Sequence, residues 1–235
     1  MEGTFVNVAA IVAGTIVGVT VGRFVPDRVH LRVTQGLGLV VLLLGVDSAL
    51  QWRDTNVLYV MGAVLLGAIV GELLDIESRV ERLGARIERA AHRRTGGDSP
   101  VAEAFVTASL VFCIGPLAVY GAFEDGLTST WDALATKSLL DGFASVAFAA
   151  ALGWGVGLSA LAVLVVQGSF TLLAGVLEDV LVGEALAALT SAGGVLLVGI
   201  GLKLLDVVDV RVGNFLPALA FAPLIAIVAQ HLGAG

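Results

Sequence analysis

The chain has 235 residues, of which 57% are apolar and only 14% charged, with a net charge of −7. Soluble domains carry about 25% charged residues, so these figures exclude a disordered chain, a basic nucleic-acid-binding domain and an ordinary soluble enzyme. At about 20 apolar residues per crossing, the length accommodates roughly eight membrane helices and little else.

Taken in chain order, the apolar runs predict spans at 4–22, 33–50, 57–74, 104–123, 135–152, 157–175, 187–205 and 213–232. The expected fold class is therefore all-α: a polytopic bundle of about eight spans forming one integral-membrane domain over 1–235. Spans five and six are separated only by Gly153-Trp154-Gly155-Val156, which reads either as a tight hairpin or as one broken element. Glu2 precedes the first apolar run and Arg23, Arg28 and Arg32 follow it, the reverse of a cleavable signal peptide.

Charge placement sets the expected orientation. One side receives Arg23, Arg28, Arg32, Arg79, Arg82, Arg86, Arg89, Arg93, Arg94, Lys203 and Arg211, and the other only Arg53 and Lys137. Cytoplasmic loops are enriched in Lys and Arg. This places 75–100 in the cytoplasm and both termini outside, in a multi-pass protein of the cytoplasmic membrane. Within that loop, Ile76, Val80, Leu83 and Ile87 recur at helical spacing opposite a charged face. An amphipathic cytoplasmic helix is expected at 76–94, packed on the bundle or lying on the anionic leaflet.

Span two begins Thr34-Gln35-Gly36-Leu37-Gly38 and span seven begins Thr190-Ser191-Ala192-Gly193-Gly194. An offset of 156 aligns Thr34 with Thr190, Gly38 with Gly194 and Gly45 with Gly201. Matching spans one to three with spans six to eight gives an odd offset, so the copies would be inverted in the membrane, an arrangement common among secondary transporters. Gly14, Gly18 and Gly22 on span one, and Gly67 and Gly71 on span three, are spaced for close helix packing. That packing is expected within the bundle or across a homodimer interface.

Polar residues inside spans are costly and mark candidate sites. Lys137 and Asp141 in Thr136-Lys137-Ser138-Leu139-Leu140-Asp141-Gly142 are one turn apart and can pair. Asp141 could then hold a cation or proton, or Lys137 could snorkel outward with Asp141 as its neutralising partner. Gln167, Ser169 and Thr171 bracket Gly168 in span six, which predicts an unwound segment facing a cavity or, alternatively, hydrogen bonds between helices. Thr107 precedes Phe112-Cys113-Ile114-Gly115-Pro116 in span four, and Asn214 precedes Pro217 and Pro223 in span eight. The prolines predict broken or kinked helices. No P-loop, no H-E-x-x-H motif, no G-x-S-x-G elbow and no Cys/His cluster occurs. Neither an enzyme nor a cofactor is expected. No metal ligand set can be named, and Cys113 has no cysteine with which to pair.

The blocks Gln35-Gly36-Leu37-Gly38, Gly71-Glu72-Leu73-Leu74-Asp75-Ile76-Glu77, Phe105-Val106-Thr107-Ala108-Ser109-Leu110, Phe112-Cys113-Ile114-Gly115-Pro116, Thr136 to Gly142, Gln167-Gly168-Ser169 and Asn214-Phe215-Leu216-Pro217-Ala218 occur in this order. Together they resemble the prokaryotic membrane family catalogued as domain of unknown function 554. The resemblance spans nearly the whole chain and implies a multi-spanning inner-membrane protein described as a transport protein. It carries over no catalytic residue.

The preferred expectation is a secondary transporter or channel for a small polar solute or ion, with Asp141, Lys137, Gln167, Ser169, Thr107 and Asn214 lining a midplane site. Its partners would be the lipid bilayer, that solute and a second copy of the chain, with no nucleic acid. The alternative is a non-transporting membrane sensor or scaffold acting through 76–94.

Overall fold

A computed structural model describes residues 1–24, 26–79, 82, 101–113, 116–127, 130–177 and 181–233. Its regular elements are all helical among these residues. The α-helices are α1 (Glu2–Gly22), α2 (Asp27–Ala49), α3 (Val57–Leu74), α4 (Val101–Cys113), α5 (Pro116–Leu127), α6 (Asp132–Leu152), α7 (Ser159–Leu172), α8 (Ala174–Leu177), α9 (Gly183–Leu204) and α10 (Ala218–Gly233). Three 3-10 turns lie at Leu50–Asp54, Trp154–Leu158 and Val212–Phe215. Seven helical stretches among the described residues are long and apolar enough to cross a membrane, so the chain is a multi-pass helical membrane protein. Most of the predicted amphipathic helix, residues 80–81 and 83–94, lies outside the described residues, and residues 76–79 are helical.

The predicted fourth span holds two helical stretches, α4 before and α5 after residues 114–115, which lie outside the described residues. α4 has 13 residues and α5 has 12. At 1.5 Å per residue each is only about 20 Å long, short of the ~30 Å hydrocarbon core. Spans five and six are separate elements, because Gly153 takes φ 84° and ends α6. That backbone conformation is strained for any residue with a Cβ. The predicted unwinding at Gly168 does not occur. α7 runs unbroken through Gln167-Gly168-Ser169 and stops at Leu173. At the last span the break falls at Leu216-Pro217, between the 3-10 turn and α10, whereas Pro223 is accommodated inside the helix.

The chain forms two compact units. The first holds Met1–Leu37, Ser78–Cys113 and Leu117–Gly175. In it α1 is central and its glycine stripe packs on the backbone of α6. A Cβ on Gly14 would meet Gly142 O and Ser145 Cβ, and one on Gly18 would meet Val146 O and Ala149 Cβ. Removing side chains there lets two helices approach to backbone contact, where dispersion holds them in lipid. The stripe is thus used within the unit. These contacts make α1 and α6 parallel. α7 runs antiparallel to α1, with Thr4 beside Thr171 and the Cβ position of Gly157 beside Thr15. α4 runs antiparallel to α6, placing Gly155 against Val101 and Phe112 edge-on to Phe148. If α2 and α3 each cross the membrane once, parallel α1 and α6 require one net crossing from α4 and α5 together.

The second unit holds Gly38–Glu77, Ile114–Pro116 and Val176–Gly235. α9 is the most buried of its spans. A core of small residues (Val60 and Ala63 of α3, Ala185, Ala188 and Ala192 of α9, Ala222 and Ala226 of α10) brings three helices together. α3 packs antiparallel on α10, with Gly67 against Ala218 and Gly71 against Asn214. α2 packs antiparallel on α9, with Gly38 near Gly201 and Gly45 near Gly194. The helix ends at Asp75 (φ 48°) and Asp206 (φ 58°) take the left-handed cap conformation that short polar side chains tolerate.

Candidate functional site

The first unit contains a hydrogen-bonded polar chain built from three helices. Lys137 and Asp141 sit one turn apart on α6 and form an ion pair through Asp141 Oδ2. Asn7 of α1 donates from Nδ2 to the same oxygen at 2.9 Å and to Gln167 Oε1 of α7 at 3.1 Å. Gln167 Nε2 donates to Thr4 Oγ1 at 3.1 Å. Thr4 Oγ1 lies 3.3 Å from Thr171 Oγ1, and the Thr171 hydroxyl donates to Gln167 O. The Thr171 proton is therefore engaged, and Thr4 is the donor between the two hydroxyls. Both protons of the Asn7 amide and the two hydroxyl protons have a defined direction.

All six side chains are buried: Asn7 and Thr4 are 0% exposed, and Asp141, the most exposed, is 8%. Asp141 is the tenth of the 21 residues of α6. About 15 Å of helix thus separates it from either end, so a span of this length puts it near the bilayer centre. A charge there costs about 2.5–3.5 kcal/mol by insertion scales. The Lys137–Asp141 pairing brings the net charge to zero, and the Asn7 amide supplies a further hydrogen bond.

One atom stands outside this accounting. Asn7 Oδ1 is fully buried and has no hydrogen-bond partner. Reversing the carboxamide would aim that oxygen at the Asp141 carboxylate, so the neighbours dictate the orientation. A buried, unmatched carbonyl oxygen costs roughly 1–3 kcal/mol, and it projects from the same carboxamide that touches Asp141 and Gln167.

Of the six predicted site residues, the structure brings together Lys137, Asp141 and Gln167. Ser169 is exposed and donates back to Val165 O of its own helix. Thr107 is buried on α4 and is not part of the hydrogen-bonded chain. Asn214 belongs to the second unit. There its Oδ1 accepts from Glu77 N at 2.8 Å and its Nδ2 donates to Glu72 Oε2 at 2.6 Å. Glu77 Oε2 in turn accepts from Gly213 N at 3.0 Å, and Lys203 approaches Glu77 Oε1 at 3.6 Å. This second cluster fastens the end of α3 to the 3-10 turn before α10. Asn214→Ala is expected to destabilise the protein by about 1–3 kcal/mol, because it removes both hydrogen bonds of a buried carboxamide, one of them to a carboxylate. Thermal unfolding in detergent measures that cost.

Thr4 and Asn7 are the participants that sequence reasoning left out. The signal for Asn7 lay in the glycine stripe: Thr4, Asn7, Ile11, Gly14, Gly18 and Gly22 follow one another at intervals of three and four. They therefore share the face of α1 that must pack.

The model of the family described as protein of unknown function (DUF554) matches residues 2–227. The chain is 28% identical over 236 residues to uncharacterized membrane protein YdfK of Bacillus subtilis (strain 168), covering 99% of each chain. It is also 28% identical over 223 residues to uncharacterized protein YqgA of Escherichia coli (strain K12), covering 94% of each. No solved structure matches.

Proposed function

The chain belongs to the DUF554 family, and we propose that it is a transport protein, a secondary carrier or channel passing a small polar solute or ion across the cytoplasmic membrane. The observation that carries this reading is the buried chain Lys137–Asp141–Asn7–Gln167–Thr4–Thr171, contributed by three separate membrane helices, with one carboxamide oxygen left unmatched. Ionisable and polar groups gathered inside membrane helices mark a candidate solute or ion pathway, and the unmatched oxygen is one that an arriving ion or solute can engage.

An inverted repeat belongs to the same proposal. In its support, each helix pair that the 156-residue offset would relate (α1 with α7, α2 with α9, α3 with α10) packs antiparallel within one unit. Gly45 and Gly194 also contact each other reciprocally. A Cβ on Gly45 would lie 2.9 Å from Gly194 O, and one on Gly194 would lie 2.7 Å from Gly45 O. Two antiparallel packings of related helices are the parts from which alternating access is built. The distribution of basic residues supports a cytoplasmic 75–100 segment with both termini outside. The reading includes no catalytic step.

The test is flux in proteoliposomes across a panel of alkali cations, small organic acids and amino acids. One class is expected to show protein-dependent flux that falls at least tenfold in Asp141→Asn. That substitution keeps the shape and an acceptor for Asn7. Equal flux in the two proteins would remove Asp141 from the pathway, and an absence of flux across the panel would overturn the transport reading.

A further inference from the structure

We infer that Arg28 and Arg32, with Arg23 nearby in the chain, bind the phosphate headgroup of an anionic phospholipid at the membrane boundary where α1 ends and α2 begins. The inference stands apart from the transport reading, and lipid selectivity and flux can each fail without the other.

The sequence concentrates unbalanced charge at this turn. Between Glu2 and Asp47 the only acid is Asp27, against Arg23, Arg28 and Arg32. All three arginines are exposed. Among the described residues, the side chains of Arg23 and Arg28 make no hydrogen bond or ion pair, and Arg32 makes one, from Nη1 to Gln35 Oε1 at 2.9 Å. That acceptor is a neutral carboxamide of the same helix. It directs one guanidinium along α2 and leaves its charge unmatched. Lys137, Lys203 and Arg211 each face a carboxylate instead.

Placement names the ligand class. α1 ends at Gly22, and the apolar crossing within α2 begins at Leu31. The three guanidiniums therefore gather at one membrane boundary, at headgroup level. Phe24, 83% exposed, gives the same turn an apolar side chain to lay among lipid. Arg28 and Arg32 are one turn apart on α2 and share a face. Like charges at that spacing repel, so an anion seated across the pair relieves a cost that the protein alone leaves in place. Guanidinium groups recognise phosphate through paired N–H donors. Further along this face Leu39 and Leu43 are 57% and 67% exposed. α2 is one continuous helix, so Arg32 and Leu43 are about 16 Å apart along it, close to the hydrocarbon depth of one leaflet, about 15 Å. A phospholipid presents the same order, an anionic phosphate followed by an apolar chain. A soluble anion or an acidic protein would match the arginines and leave the stripe unused. A purely topological role for the arginines needs their charge but no headgroup selectivity, and the experiment reads that difference.

The full chain, purified in detergent, is titrated with phosphatidylglycerol, with phosphatidylcholine of the same acyl chains, and with inorganic phosphate. Native mass spectrometry counts retained lipid and thermal melting reads stabilisation. Phosphatidylglycerol is expected to be retained and to raise the transition at a concentration at least tenfold below that of phosphatidylcholine, with inorganic phosphate inactive over the same range. The double substitution Arg28→Gln with Arg32→Gln is expected to melt like the unmodified protein without lipid, since it breaks no ion pair, and to lose the preference. Arg53→Gln, which removes an exposed arginine near the other end of the same apolar stretch, is expected to keep it. Equal binding of the two lipids, a preference retained by the double variant, or one lost equally in Arg53→Gln would each overturn the inference. Stabilisation by inorganic phosphate matching that by phosphatidylglycerol would overturn the lipid assignment. Should the double variant fail to fold, Arg28→Gln alone decides, with at least a threefold loss of preference expected and an unchanged preference overturning the site.

Discussion

Lys137→Met is expected to lower the stability of the protein by about 3–5 kcal/mol, the cost of leaving a buried carboxylate without its counter-charge. The reason is local. Asp141 is 8% exposed and its remaining hydrogen-bond partner in this chain is the neutral Asn7 amide, which donates a hydrogen bond but cannot neutralise a charge. The double substitution Lys137→Met with Asp141→Asn is expected to recover most of the loss, since it removes both charges and leaves Asn7 an acceptor. Melting in detergent for the two singles and the double forms a complete cycle. A Lys137→Met protein that melts with the unmodified one would show that the pair is solvated, and the buried-site argument would fall with it.

The second large effect concerns the seam between α1 and α6. Gly18→Ala adds a single methyl that would press on Val146 O and come within 2.8 Å of Ala149 Cβ, closer than carbon atoms pack. Overpacking of this kind costs about 1–3 kcal/mol. Gly18→Leu, which cannot be absorbed by a small shift, is expected to abolish the folded protein. Gly36 of α2 supplies the control, because a Cβ there meets nothing within 4 Å. Gly36→Ala is expected to be neutral or to stabilise by roughly 0.5–1 kcal/mol through helix propensity alone. Retention of yield and melting temperature in detergent, compared across Gly18→Ala, Gly18→Leu and Gly36→Ala, reads the series. Equal tolerance at both positions would mean that α1 does not pack on its glycine face.

Seven of the eight expected spans coincide with long apolar helices, because a span must be long and apolar, a property of contiguous residues. The exceptions have physical reasons. Pro116 does begin a helix, as its missing N–H allows, but hydropathy alone cannot distinguish a kink from two short helices. Gln167 and Ser169 were grouped because they flank one glycine, yet two positions along a helix are about 200° apart. Ser169 therefore points away while Thr171, one turn from Gln167, joins it. Lys137 and Asp141 were readable as a pair since their contact is local. Asn7 was harder to place, because its partners lie 134 and 160 residues onward and only the tertiary arrangement joins them. Asn214 is buried like Asn7, but its partners are the Glu77 backbone N–H and the Glu72 carboxylate at the end of α3.

The parallel seating of α1 against α6 also bears on how the protein is made. Asn7 leaves the ribosome 134 residues before Asp141. At synthesis rates of ~5–20 residues per second the delay is about 7–27 seconds. For that interval α1 lacks its α6 partners, with the Asn7 amide short of the Asp141 carboxylate and the glycine face short of the backbone it packs on.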